Sequence, residues 1–127
     1  MELLTEKIIG CAMKVHNTLG AGFLEKVYEN ALVYELRKNG LFVEQQKPVP
    51  VLYDGRCVGD YVSDIIVERK VLVELKANAG LTEDHTAICL NYLRCADLTV
   101  CLLLNFGKPR LQIKRLVAEN YDHSNPL

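Results

Sequence analysis

Two apolar runs, Tyr61-Val62-Ser63-Asp64-Ile65-Ile66-Val67 and Val71-Leu72-Val73-Glu74-Leu75-Lys76-Ala77, are separated only by Glu68-Arg69-Lys70, and both carry ionisable side chains. The polar break reads as a turn and the two runs as a β-hairpin. A three-residue loop pairs Val67 with Val71, Ile65 with Val73 and Asp64 with Glu74. Side chains alternate between the faces of a strand, so one face becomes uniformly apolar, with Ile65, Val67, Val71, Val73 and Leu75. The other carries Asp64, Glu74 and Lys76 among Val62, Ile66 and Leu72. A two-residue loop would shift the register by one and send the two acids to opposite faces; the apolar pattern favours the longer loop. Acids and lysines rarely sit among such neighbours unless they are paired or bind something. Like charges directly opposed on a sheet are destabilising, so a metal ion, Lys76 or a proton on one acid must offset the repulsion. The simplest alternative is a Glu74–Lys76 salt bridge at a sheet edge.

The rest of the chain supplies layers to cover that hairpin. Helical spacing of Ile8, Ile9, Ala12, Met13, Val15 and Leu19 predicts a first helix, with Thr5 as its N-cap and a break at Gly20-Ala21-Gly22. A second helix is expected over residues 23–39, stopped by Gly40 and burying Leu24, Val27, Tyr28, Ala31, Leu32 and Leu36. Residues 41–45 and 48–53 read as two short strands, the second turned by Asp54-Gly55 into a strand over 57–67. Thr82 is the expected N-cap of a third helix that reaches about Ala96, with Glu83 and Asp84 in its first turn. The continuous apolar run 98–105 is a strand covered on both faces, and 111–117 is the last strand. The order ααββββαββ describes an α/β fold of α+β character, a mixed central sheet flanked by helices. A single domain over 1–119 and a flexible tail over 120–127 are expected.

Composition excludes more than it identifies. With 127 residues the chain suits one domain, and a formal net charge of -1 gives no overall attraction to nucleic acid. A local basic group, Lys108, Arg110, Lys114 and Arg115, lies near the C-terminus. No apolar run reaches the ~18 residues of a membrane span, and the N-terminal region, with Glu2 and Glu6, lacks the design of a signal peptide. Cys11, Cys57, Cys89, Cys95 and Cys101 are odd in number and form no C-x-x-C pair, which fits reduced cysteines in a cytoplasmic protein.

Asp64 followed by Glu74-x-Lys76 on adjacent strands, then a helix and another strand, resembles the PD-(D/E)XK nuclease superfamily. Gly22-Phe23-Leu24-Glu25-Lys26-Val27-Tyr28 is similar to the G-x-x-E-x-x-Y signature of the small GxxExxY proteins. Val15-His16 with Leu19-Gly20, Tyr53-Asp54-Gly55, Asn91-Tyr92-Leu93 and Leu103-Leu104-Asn105-Phe106-Gly107 extend that likeness over roughly residues 5–118. The resemblance implies a restriction-endonuclease-like fold and a metal-dependent nuclease hydrolysing phosphodiester bonds, with DNA ahead of RNA. Glu25, Asp64, Glu74 and Lys76 are then the catalytic set. Mg2+, with Mn2+ as a substitute, would take oxygens from Asp64, Glu74 and the Leu75 carbonyl, with Glu25 as a further carboxylate. Lys76 would orient the attacking water or stabilise charge at the phosphate. Tyr28, His16, His85 and Asn91 are expected to touch substrate or support the site, against a plain packing role for each. Two positions depart from the pattern: Ile88 stands where the family has a glutamine, which shifts that duty to a neighbour such as His85, and Ser63 replaces the superfamily's proline. The alternatives are a nuclease-like module that binds nucleic acid or a protein partner with little turnover, and a homodimer joined through helices or an exposed strand.

Overall fold

The loop after Val67 decides the sheet. In the computed structural model, which describes residues 1–118, Val67 pairs with Val71, Ile66 with Leu72 and Ile65 with Val73. Glu68 and Arg69 turn the chain at positive φ (53° and 55°), and the Lys70 N–H donates back to the Val67 carbonyl at 3.0 Å. This is the three-residue loop, and it puts both acids on one face.

The chain runs α1 (Glu2–Leu19), α2 (Glu25–Lys38), β1 (Val43–Tyr53), β2 (Arg56–Val67), β3 (Val71–Lys76), α3 (Glu83–Ala96), β4 (Val100–Asn105) and β5 (Gln112–Val117). The five strands form one sheet in the order β1-β2-β3-β4-β5. Neighbours are antiparallel except β3 and β4, which are parallel and joined through α3. Three strands precede α3, not four, because residues 41–45 and 48–53 contribute to one strand. Gln46 lies within it in the left-handed region (φ 54°), and the ladder resumes in the same register on either side, Gln45 opposite Ile65 and Lys47 opposite Ser63. That backbone costs roughly 1–2 kcal/mol for a residue with a Cβ. Asp54 and Gly55 both take positive φ between paired Tyr53 and Arg56, as a two-residue hairpin turn of type I′ requires.

Each face of the sheet is sealed by its own helices. Ile65, Val67, Val71, Val73 and Leu75 join Val100, Leu102 and Leu104 beneath α1 and α2, which contribute Ile8, Ala12, Val15, Tyr28, Leu32 and Leu36. Ile66, Leu72, Cys101 and Leu103 pack with Cys89 and Leu93 of α3 on the other side. β4 alternates between the two clusters, so its unbroken apolar sequence is the signature of a strand buried on both faces. Each fully buried leucine contributes on the order of 1.5–3 kcal/mol. None of the described helices is long and apolar enough to cross a membrane.

Helix ends and faces differ from expectation in instructive ways. α1 begins at Glu2, so Thr5 is not its cap but sits inside the helix, its hydroxyl donating to the Glu2 carbonyl at 2.9 Å. α2 starts two residues late, after Leu24, and ends as expected: the Gly40 N–H bonds to Arg37 and the Leu41 N–H to Leu36, a Schellman closure. Leu24, Val27 and Met13 are exposed, whereas Glu29 and Glu35 are buried. α3 is capped by Thr82. The tail expected over 120–127 lies outside the described residues.

The chain beyond β3 is pinned from the β4 side. Asn105, fully buried, accepts from the Asn78 and Gly107 N–H groups (both 3.0 Å) and donates to the Asn78 carbonyl at 3.1 Å. A Cβ on Gly107 would lie 2.4 Å from the Asn78 carbonyl oxygen and 2.5 Å from its nitrogen, both rigid backbone atoms. Gly107→Ala is therefore expected to destabilise the protein by roughly 1–3 kcal/mol, read from the midpoint of urea unfolding, and to shift the NMR signals of Lys76 and Asn78.

Candidate active site

The β2–β3 ladder opens where the acids begin. Its last backbone pair is Ile65 with Val73. Beyond it the Asp64 carboxylate takes over the role of a strand partner, accepting the Leu75 N–H at 2.9 Å, while the Asp64 N–H points at Glu74 Oε1 at 3.4 Å. Glu74 is only 6% exposed, on an interior strand between β2 and β4. The sheet-edge salt bridge is thereby corrected: β3 is not an edge, and Glu74 faces Asp64, while ion pairs form elsewhere, as at Lys14–Glu35, Lys26–Glu29 and Lys47–Glu44.

Burial is the main reason the Glu74 carboxyl is pushed up to about 9, followed by the charge of Asp64 and a hydrogen bond between the two carboxyl groups. Such a bond requires a proton on one of them. Glu25, at the start of α2, is also raised, by burial first and then by Asp64, while Lys76 pulls it down. Glu25 therefore shares one electrostatic neighbourhood with Asp64 and Lys76. Burial and then Glu74 raise the phenols of Tyr61 and Tyr92. Their rings stack at 3.7 Å, and the Tyr61 hydroxyl donates to the Tyr92 carbonyl at 3.3 Å. Strict alternation would group Tyr61 with Ser63 and Ile65, away from α3. Gln46, in the left-handed region, stands across from Asp64 between the pairs Gln45–Ile65 and Lys47–Ser63.

The four residues of the expected catalytic set, Glu25, Asp64, Glu74 and Lys76, thus come from α2, β2 and β3 to one end of the sheet. Tyr28, His16 and His85 are engaged by other partners. The Tyr28 hydroxyl is not turned to a carboxylate: it donates to the Gly20 carbonyl and accepts the Phe23 N–H at 3.2 Å, and its ring stacks on Phe106 at 4.8 Å. His16 is buried against Phe106 and holds the β4–β5 loop through Nε2 to the Lys108 carbonyl at 2.8 Å, which requires the Nε2–H tautomer. His85 uses Nδ1 to accept the Thr82 N–H at 3.1 Å, completing a capping box. Asn91 is exposed on α3, and Ile88 is 45% exposed.

Sequence reasoning missed Tyr61, Gln45, Gln46 and the buried Glu29. The Glu29 carboxylate accepts from Lys26 and from both glutamines. A second acid one helical turn after Glu25 was the available signal; nothing in Gln45-Gln46 announced a left-handed residue.

The donor set suits a hard cation. Among the described residues no group of three or more His, Cys, Asp or Glu side chains gathers closely enough to hold a metal by itself. Two carboxylates with backbone oxygen and water match the habit of Mg2+, whereas zinc would want nitrogen or sulfur. A cation between Asp64 and Glu74 would offset both the burial and the repulsion that keep Glu74 protonated.

Without a metal ion, Glu74 makes the stability of the fold depend on pH. Glu74 keeps its proton in the folded state up to about pH 9, while the unfolded chain releases it near the ordinary carboxylate value of 4.5. Between those values the unfolded state binds fewer protons, so stability falls as pH rises. Glu74→Gln is expected to remove that slope and to melt above the wild type, by a margin that widens toward pH ~9. Melting curves in EDTA across this range check it.

The family model of the PD-(D/E)XK nuclease superfamily matches residues 2–116, from α1 into β5. No curated protein and no solved structure matches the chain. The matched span holds both strands that present Asp64, Glu74 and Lys76, and the chain belongs to the PD-(D/E)XK nuclease superfamily.

Proposed function

We propose that this protein is a metal-dependent nuclease that hydrolyses phosphodiester bonds, with DNA as its first substrate and Mg2+ as its ion. The observation that carries the reading is the Asp64–Glu74 pair: two acids meeting on interior strands, one of them nearly buried and held protonated by that burial and by the charge of the other. Asp64, Glu74 and the Leu75 carbonyl would hold the ion, with Glu25 reaching it through a water. When bound, Mg2+ supplies charge neutralisation at the phosphate and acidifies a water.

The chain's own groups account for the remaining needs. Lys76 extends from the end of β3 into the neighbourhood of Glu25, where an ammonium stabilises charge growing on phosphate oxygens. Burial first and then Asp64 raise the Glu25 carboxyl, which makes it a stronger proton acceptor than an exposed glutamate. The Leu75 N–H holds the Asp64 carboxylate in one orientation through Oδ2. Gly22, Glu25 and Tyr28 together support a place among the GxxExxY proteins, with Tyr28 fixing the approach to α2.

A second reading, a nuclease-like module that binds nucleic acid or a protein with little turnover, is favoured by Ile88. An apolar, half-exposed side chain stands on α3 where the family pattern has a glutamine. The two readings separate in one set of assays. Wild type with Mn2+ is expected to cleave at least one of single-stranded, double-stranded or branched DNA or RNA. Lys76→Ala is expected to lower the rate by about 100-fold or more while leaving the melting temperature near wild type. Glu74→Ala is expected to abolish Mn2+ binding in titrations. Absence of cleavage on every substrate, with salt-sensitive binding that survives Glu74→Ala, selects the binding module.

A further inference from the structure

We propose that Glu29, Gln45 and Gln46 form a positioning clamp that sets where Glu25 stands in the site, an inference that rests on the nuclease reading. Glu25 and Glu29 lie one turn apart on the same face of α2. Glu25 faces Asp64 and Lys76, whose charges it feels. Glu29, 3% exposed, is captured by β1. Its two oxygens accept Gln46 Nε2 at 2.9 and 3.0 Å, and Oε2 also accepts Gln45 Nε2 and Lys26 Nζ, the last at 2.9 Å. Gln45 Nε2 reaches a further acceptor on α2, Asn30 Oδ1, at 2.8 Å. A buried carboxylate persists only when its lone pairs are filled, and a filled network admits few geometries.

The backbone of β1 is bent to build this contact. Consecutive strand residues point to opposite faces, so Gln45 and Gln46 in a regular strand could not both reach one carboxylate. The left-handed Gln46 (φ 54°) brings the second amide around to the first. Gln46 is exposed, so core packing does not impose that conformation. Strain of this kind survives where surrounding contacts over-determine it, and it gathers at functional sites. Gln46 also stands across from Asp64, between the pairs Gln45–Ile65 and Lys47–Ser63. The clamp thus ties α2 to β1 at the level of the metal-binding acid, one helical turn from Glu25. It acts through Glu25 and touches no reacting atom.

Gln46→Asn tests the clamp without disturbing the backbone, because asparagine tolerates the left-handed region and only the reach is shortened. In Mn2+-dependent cleavage the variant is expected to lose about ten- to a hundredfold in kcat with KM nearly unchanged, while the melting temperature falls by several degrees because Glu29 Oε1 loses its donor. In a Glu25→Gln background the same change is expected to cost less than about twofold, since the residue it positions is already disabled. An equal loss in both backgrounds, or no loss with Gln45→Asn and Gln46→Asn combined, overturns the proposal. If wild type cleaves nothing, the nuclease reading fails, and crystal structures of wild type and Gln46→Asn decide the clamp. A Glu25 carboxyl withdrawn from Asp64 supports it; an unmoved one overturns it.

Discussion

Two acids held face to face on interior strands are the constraint around which the rest of this fold is arranged. The acids cannot escape one another by slipping. A one-residue shift of β3 against β2 would carry Val71, Val73 and Leu75 out of the α1–α2 core and into the α3 side. Both cores would be lost together, at several kcal/mol for each, given roughly 1.5–3 kcal/mol per large buried side chain. The hydrophobic pattern therefore sets a register whose local electrostatic consequence is unfavourable. The ladder yields at that point, exchanging backbone pairing for the Asp64 carboxylate on the Leu75 N–H. What remains is a destabilised pair whose repulsion is relieved by a proton or a cation, a common compromise between stability and function.

The apolar pattern that sets this register is also what makes the sheet legible in the sequence. The hairpin was legible because two-residue periodicity and a three-residue polar break admit only one register with a clean apolar face. β4 was legible because Val100 to Leu104 offers no polar residue to either side. The Thr82 cap and the Gly40 stop follow from local backbone chemistry that tertiary contacts did not override. Helix α2 was harder. Apolar Leu24 and Val27 suggested a buried stripe that the fold rotates away, in favour of Glu29 and Glu35. A buried acid is recognisable only through its partners, and those lie far along the chain: Lys14 for Glu35, Gln45 and Gln46 for Glu29. Periodicity carries no information about such pairs. Gln46-Lys47 looked like a gap between strands for a similar reason, since polar residues on an exposed strand resemble a loop.

His16 and Tyr28 show how chemically suggestive residues mislead and still matter. Neither faces the acids, yet both bear on Phe106, at 6.0 Å and 4.8 Å between ring centroids. Phe106 donates its N–H to the Lys76 carbonyl at 2.8 Å. A continuous path therefore runs from Glu25 along one turn of α2 to Tyr28, across the stacked rings to Phe106, and through one backbone hydrogen bond to Lys76. On the opposite side, the next turn of α2 is held to β1 through Glu29. The amine and the helix carboxylate are thus referred to one frame from two directions. A loss of Tyr28 would act on both at once although its hydroxyl meets only the Gly20–Phe23 loop. The tyrosine of the G-x-x-E-x-x-Y segment is accordingly explained by rigidity rather than by contact: it lets a flexible glutamate side chain and a flexible lysine side chain keep a fixed separation without bonding to each other.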